Sequence, residues 1–406
     1  MHQFLTEDTS MDVKISRRMQ KPDFQGEFTS AILAAAGDPS IISFAGGLPN
    51  PVSFPVKEMD KAASEVLEEN GVQALQYSGV QGYLPLRQFI CKRYKENMGL
   101  DWAPEDIIIT NGSQQALDMF SAVMLDPGDE VMVESPSYLA ALQTFHLYDP
   151  VILPVELNED GINCEMLEET VKHHKPQFIY VIPNFQNPTG LTYSEEVREK
   201  AAEILKQTNV MVLEDNPYGE LRFSGKAGHS FYYYLGEQCC MLGTFSKIVS
   251  PGMRIGWIAC RNPQIKKKLL DYKSTMDLHT NIFCQMVLAK YLSENDLDTH
   301  IETTKKLYGQ KAELMMECMA KYLPADVSYT KPEGGMFIWA TMPEGIKAVD
   351  VQKEAVKRGV AVCAGDPFYE YERGVRTMRL NYSNASDENI EKGMKILGEV
   401  IAEMIG

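Results

Sequence analysis

Six short apolar runs, separated by helix-like stretches, constrain this chain more than any other feature. They are "DIIIT" (residues 106–110), "DEVMVES" (129–135), "QFIYVIPN" (177–184), "VMVLED" (210–215), "CCMLGT" (239–244) and "IGWIAC" (255–260). Each has strand length and is bounded by polar or turn residues. Helical patterns lie between several of them, as at residues 194–208. Short apolar strands alternating with helices imply an α/β fold with a mostly parallel sheet covered on both faces. Upstream, helices are expected over 28–36, 57–70 and 84–98, whereas "ISFAGGLPNPVSFP" (42–55) holds too much Gly and Pro for one. After about residue 262 the pattern changes. A long helical region over 281–322 leads into "GGMFIWA" (334–340), a helix near 349–358, "TMRLNYS" (377–383) and a terminal helix. That part reads as a smaller α+β domain.

Charge and cysteine usage narrow the partners. The 39 Lys and Arg against 56 Asp and Glu give a net charge of −17, which disfavours nucleic acid and anionic membranes. No apolar run approaches the ~18 residues of a membrane span. The first ten residues carry Glu7 and Asp8 and no apolar core of an export signal. The eight cysteines form no C-x-x-C pair and show no zinc spacing. The expectation is a cytoplasmic protein with reduced thiols and no metal.

The chemistry-bearing residues follow the strands. Ser113 and Gln114 come after "DIIIT", Asn187 after "QFIYVIPN", Asp215 closes "VMVLED", and Lys247 follows "CCMLGT". In a parallel sheet those loops share one edge, where ligands of such folds bind. A helix starting near Ser113 offers backbone N–H groups and a dipole to an anion. In "GTFSKIVSPGMRIGW" (243–257), Arg254 stands seven residues after Lys247. A lysine, a strand-end carboxylate and an anion cradle together suggest an aldehyde cofactor bearing a phosphate.

Eight segments then carry a resemblance: "FAGGLPNP", "LQYSGVQGYLPLR", "ITNGSQQALD", "PNFQNPTG", "EDNPYGELRF", "GTFSKIVSPGMRIGW", "PEGGMFIW" and "MRLNYS", in order across residues 42–383. The chain resembles fold-type I pyridoxal-phosphate aminotransferases, in the branch of kynurenine/α-aminoadipate aminotransferases. The resemblance implies a three-layer large domain with a mostly parallel seven-stranded sheet and a smaller α+β domain. It divides the chain into an arm (1–45) packed with the small domain, a cofactor-binding domain (46–285) and a small domain (286–406).

The resemblance also implies roles. Lys247 would hold the aldehyde of pyridoxal 5'-phosphate and shuttle protons, as an amine can when its pKa is lowered. Asp215 would pair with the pyridine nitrogen; Glu214, one residue away, would face the other side of its strand. Tyr218 and Asn187 would bond the ring oxygen. Ser113, Gln114, Ser246 and Arg254, with Thr244 a further candidate, would bind the phosphate, and Tyr138 would stack on the ring. Tyr77 would reach the phosphate in the neighbouring subunit of a homodimer with shared sites. Arg379, rather than its competitor Arg376 on the opposite strand face, would clamp the substrate carboxylate, and Gly47 would let backbone approach the substrate.

The activity so implied is transamination between an amino acid and a 2-oxo acid, with 2-oxoglutarate as the usual acceptor. Relatives acting on acidic side chains often carry an arginine before the "FAGG" segment; counting back without a gap puts Phe28 there, beside Glu27. The expectation is an apolar or aromatic donor. Two alternatives stand beside this reading: a β-lyase or decarboxylase on the same fold, and the effector-sensing part of a transcription regulator. The net charge and the roughly 40 residues ahead of the fold weigh against the regulator.

Overall fold

The computed structural model describes residues 13–20 and 23–406. Its large sheet runs in the order Ile107–Thr110, Gly256–Ala259, Cys239–Thr244, Met211–Asp215, Phe178–Val181, Glu130–Ser135, Val151–Asn158 and Gly161–Ile162. Gly256–Ala259 is antiparallel to both neighbours, and the strands from Cys239–Thr244 to Val151–Asn158 are parallel. The expected seven strands become eight, because the two-residue Gly161–Ile162 folds back antiparallel on the edge.

Alternate side chains feed two cores. Ile108, Val133, Leu213 and Leu242 pack on one face with helices Gly112–Met124, Leu139–His146 and Pro263–Met276. Ile109, Met132, Val212 and Met241 pack on the other, with Leu84–Met98, Glu195–Lys206 and Ile282–Glu294. Each fully buried Ile or Leu contributes roughly 1.5–3 kcal/mol, which is why these strands read as unbroken apolar runs rather than alternating ones.

A second, four-stranded antiparallel sheet has the order Ser328–Tyr329, Phe337–Thr341, Thr377–Asn381, Cys363–Ala364. Its register places Trp339, Arg379 and Cys363 side by side. The strand Ile42–Ser43 pairs in parallel with Val360–Ala361 and so ties the 44–48 segment to this part of the chain.

Several boundaries differ from expectation for local reasons. The first helix is Phe24–Gly37, starting four residues early because Asp23 accepts from Gly26 N and caps it. The helix expected over 57–70 is Val56–Ala74, with a non-helical Asn70 inside it. The region 281–322 is two helices, Ile282–Glu294 and Leu297–Tyr322, because Asp296 accepts from Asp298 N and Thr299 N and starts the second. Strand Val151–Asn158 and helices Cys164–His173 and Pro263–Met276 go beyond the expected elements.

Candidate active site

The carboxyl ends of Ile107–Thr110, Phe178–Val181, Met211–Asp215 and Cys239–Thr244 lie on one edge of the large sheet. Above that edge is a cavity of about 260 Å³, closed by residues 46–48 and by Arg379. Eleven of the twelve sequence-selected residues line it: Lys247, Asp215, Tyr218 and Asn187; Ser113, Gln114, Ser246 and Arg254; Tyr138, Arg379 and Gly47. Tyr77 does not. It is 80 % exposed, its ring set edge-on to His279.

Lys247 is half-buried, and its Nζ donates to Gly47 O at 2.8 Å. Burial, then the Arg379 and Arg254 guanidiniums, bring its pKa down to about 8. Asp215 is buried at the end of its strand. Tyr180 OH donates to its Oδ2 at 2.8 Å, while Oδ1 has no protein partner. Burial raises this carboxyl to about 6, opposed by the Tyr180 bond. Glu214 faces the other side of the strand, where it accepts from Phe231 N.

Asn187 is held by a clamp that sequence reasoning missed. Buried Glu134 accepts from Ile182 N at 2.9 Å, Tyr193 OH at 2.6 Å and Gln186 Nε2 at 2.9 Å, which pins the loop on both sides of Asn187. Burial pushes Glu134 up to about 7 against those three donors. Asn187 Nδ2 points to Tyr218 OH at 3.4 Å. The peptide bond before Pro188 is cis.

The phosphate-side residues meet through close backbone packing. A Cβ on Gly256 would lie 2.7 Å from Ser113 N, and one on Gly112, at φ +72°, would lie 2.5 Å from an Arg254 nitrogen. Only glycine fits there. Thr244 and Ser246 join the same wall, their hydroxyls 2.9 Å apart. The Gln114 side chain is engaged by the protein, donating to Thr144 Oγ1 at 2.6 Å, and its backbone N–H belongs to the first turn of helix Gly112–Met124.

Arg379 is buried. Nη1 donates to Asn187 Oδ1 at 2.8 Å and Nη2 to Ala45 O at 2.7 Å, while Nε has no partner. Its guanidinium lies 4.4 Å from the Phe337 ring centroid and 4.9 Å from that of Phe368. Arg376 is exposed and donates to Met342 O, away from the cavity. A Cβ on Gly47 would meet the Phe337 ring at 3.1 Å, so this glycine is tight against the small sheet. From the first helix, Thr29 and Ile32 reach the cavity; Phe28 does not, and packs on Phe24 instead. The ungapped count thus lands on the wrong face of that helix.

A larger cavity, of about 480 Å³, lies behind the 216–220 loop. Its charges are spent on one another, Arg93 pairing with Glu220 and Asp298, so it offers no comparable chemistry.

The cavity's donor set fits a phosphorylated aromatic aldehyde. The buried Oδ1 of Asp215 lacks a partner, a half-buried amine stands opposite, and glycine-packed N–H groups with an arginine form an anion seat. Comparison with known proteins agrees. Residues 45–397 match the family model for aminotransferase class I and II. The aromatic-amino-acid aminotransferase 1 of Thermococcus litoralis is 42% identical over 369 residues, covering 89% of this chain and 88% of that one. The crystal structure of Pyrococcus horikoshii kynurenine aminotransferase, in complex with PMP, superposes with TM-score 0.89 at 38% identity, covering 98% and 97%. LysN, the α-aminoadipate aminotransferase of Thermus thermophilus, superposes with TM-score 0.87 at 36% identity, covering 96% of each chain. With its sheet, its cavity and the match over nearly its whole length in agreement, the chain belongs to the class I and II aminotransferases and is a pyridoxal-phosphate-dependent amino-acid aminotransferase.

Proposed function

We propose that the enzyme moves the amino group of an apolar or aromatic amino acid to a 2-oxo acid, in a homodimer whose subunits complete each other's sites. What carries the reading is the convergence on one cavity of the Lys247 amine, the unpartnered Asp215 Oδ1 and the Arg379 fork. When bound, pyridoxal phosphate supplies an electron sink for the bonds at the donor's α-carbon.

The chain's residues supply the rest. Lys247 Nζ, neutral in part near pH 8, would take the α-proton and return it two bonds away, on the carbon beyond the nitrogen. Asp215 Oδ1 would hold a proton at the ring nitrogen. Asn187 Nδ2 and Tyr218 OH would donate to the ring oxygen, and Tyr138 would cover the ring. Ser246, Arg254 and the N–H groups of Ser113 and Gln114 receive the phosphate. Arg379 receives the α-carboxylate of both donor and acceptor.

The donor side chain meets Thr29, Ile32 and Leu48. Among the described residues, none beyond Lys247, Arg254 and Arg379 puts a cation on the cavity wall, which favours apolar donors over acidic ones. 2-Oxoglutarate serves as acceptor through its α-carboxylate, and binds more weakly than a 2-oxo acid with an apolar side chain would. The dimer reading is supported by an exposed apolar stretch: Val52, Val56, Val72 and Leu75 lead to Tyr77. The eight free thiols suit the reducing cytoplasm.

A panel of amino donors with 2-oxoglutarate, followed through the cofactor's absorbance, tests the reading. Lys247→Ala is expected to lower turnover by ~10²–10⁴-fold or more. Retained turnover would overturn the lysine's role, and ammonia release without a 2-oxo acid would replace transamination by elimination.

A further inference from the structure

Lys273 is fully buried, yet it lies outside the active-site cavity. It belongs to helix Pro263–Met276, which packs against the outer face of helix Gly112–Met124. Its Nζ donates to Asp277 Oδ1 and Oδ2 at 3.1 and 3.0 Å, to Gln115 Oε1 at 3.2 Å and to Thr280 Oγ1 at 3.0 Å. Thr280 passes a bond on to Ile109 O at 3.2 Å, in the strand that leads into the phosphate-side turn.

The cluster acts on Asn111. This residue stands at the N-cap of helix Gly112–Met124, where an asparagine side chain ordinarily accepts from the first free N–H groups. Here it caps nothing. Asn111 Nδ2 donates instead to Asp277 Oδ2 at 2.9 Å, and Asn111 N donates to Gln115 Oε1 at 2.7 Å. Gln115 Nε2 donates to the same Asp277 oxygen at 2.7 Å. On the cavity side, Asn111 O accepts from Arg254 Nη2 at 3.4 Å. A side chain able to seal the helix end is therefore drawn backward onto Asp277, which Lys273 and Gln115 hold in place, and the amino end stays open beside Arg254.

We propose that Lys273, Asp277 and Gln115 are positioning residues that hold the Asn111 side chain off the helix, keeping the N–H groups of Ser113 and Gln114 available to the cofactor's phosphate. The proposal rests on the reading of that turn as the phosphate seat. It makes cofactor affinity depend on residues that touch neither cofactor nor substrate. The effect is selective, acting on the phosphate and not on the ring.

The test compares two ligands on the full-length chain freed of cofactor: pyridoxal phosphate and pyridoxal, which lacks the phosphate. The ratio of their affinities reads the seat. The double variant Lys273→Met/Asp277→Leu leaves no buried charge unpaired. It is expected to weaken pyridoxal phosphate roughly tenfold or more and pyridoxal by less than about twofold. Gln115→Leu, which removes the acceptor of Asn111 N, is expected to shift the ratio the same way by a smaller factor, and it decides the matter if the double variant fails to fold. Lys311→Met, at another buried lysine paired with Asp387, is the control: it is expected to lower the melting temperature and leave the ratio alone. An unchanged ratio in the Lys273/Asp277 and Gln115 variants overturns the proposal. If Arg254→Met and Ser246→Ala also leave it unchanged, the phosphate-seat reading falls; if those two lower it, only the positioning role falls.

Discussion

Arg379 Nη1 donates to Asn187 Oδ1 at 2.8 Å, joining a strand of the small sheet to a loop of the large one across the active-site cavity. The second fork nitrogen is taken by Ala45 O, and two phenyl rings flank the guanidinium. The plane of the fork is thereby fixed before any substrate arrives. This arrangement suits a carboxylate recognised by shape as well as charge.

Arg379→Lys tests that orientation. A lysine keeps the charge but cannot hold Asn187, Ala45 and a carboxylate in one plane. The expected outcome is a fall of about a hundredfold in kcat/KM, or ~3 kcal/mol, for donors and 2-oxo acids alike. Steady-state kinetics with one donor and one acceptor measure it. A loss below threefold for either would remove Arg379 from the carboxylate site.

The Lys247 amine predicts a pH profile. Its pKa of about 8 lies below the ordinary 10.5 because burial and the Arg379 and Arg254 guanidiniums oppose the charged form. The neutral fraction, and with it the rate of pyridoxal-phosphate uptake by the cofactor-free chain, is expected to fall about tenfold per pH unit below 8 and to level off above it. The unfolded chain binds more protons between the two values, so the cofactor-free chain gains stability as pH rises from about 8 to 10.5. Stopped-flow absorbance and thermal melts read these two effects. A midpoint near 10.5 would contradict the lowered pKa. Replacing Arg379 by leucine is expected to move the midpoint upward.

Legibility in the sequence followed burial. The central strands could be read because both their faces are covered, so their side chains are apolar throughout. Strand Val151–Asn158, next to the short edge strand, could not, since Pro154 interrupts it and half-exposed positions break its pattern. The strand-end residues stood out as polar groups following apolar runs. Tyr180 did not, because a tyrosine inside "FIYV" reads as core, although it shares a sheet face with Asp215 and bonds it. Lys273 was hidden in "KKKLLDYKS", where a lysine is taken for a solvated one. In the first helix, "SAILAAAG" is so evenly small and apolar that no periodicity marks the face turned to the cavity.

The apolar stretch ending at Tyr77 predicts the oligomeric state. Val72 is 88 % and Leu75 77 % exposed on the single chain, a costly display unless a second subunit covers it. The enzyme is expected to sediment at twice its chain mass of 45.7 kDa. Val72→Asp combined with Leu75→Asp is expected to halve that mass and, on the shared-site reading, to weaken cofactor binding, because Tyr77 would then reach no neighbouring site. A fully active wild-type monomer would contradict the shared-site reading.

The cavity wall at Ile32 makes substrate preference adjustable. Thr29 and Ile32 stand one turn apart on helix Phe24–Gly37, and both reach the cavity. On the proposed reading, an apolar donor would bury its side chain against Ile32 and Leu48, whereas the side-chain carboxylate of aminoadipate would lose water there and gain no cation from the described residues. The unmodified enzyme is therefore expected to show a higher kcat/KM for leucine, methionine and aromatic donors than for aminoadipate. Ile32→Arg places a guanidinium at that wall. One charge-assisted hydrogen bond is worth about 1.5–3 kcal/mol, so aminoadipate and glutamate are expected to gain roughly ten- to a hundredfold in kcat/KM, and leucine to lose. The KM for 2-oxoglutarate should fall in the same variant, because its second carboxylate meets the same wall. Kinetics on the two donor classes and the acceptor check all three outcomes. If aminoadipate already outruns the apolar donors in the unmodified enzyme, the second carboxylate finds its cation elsewhere and the Ile32 wall does not set the preference.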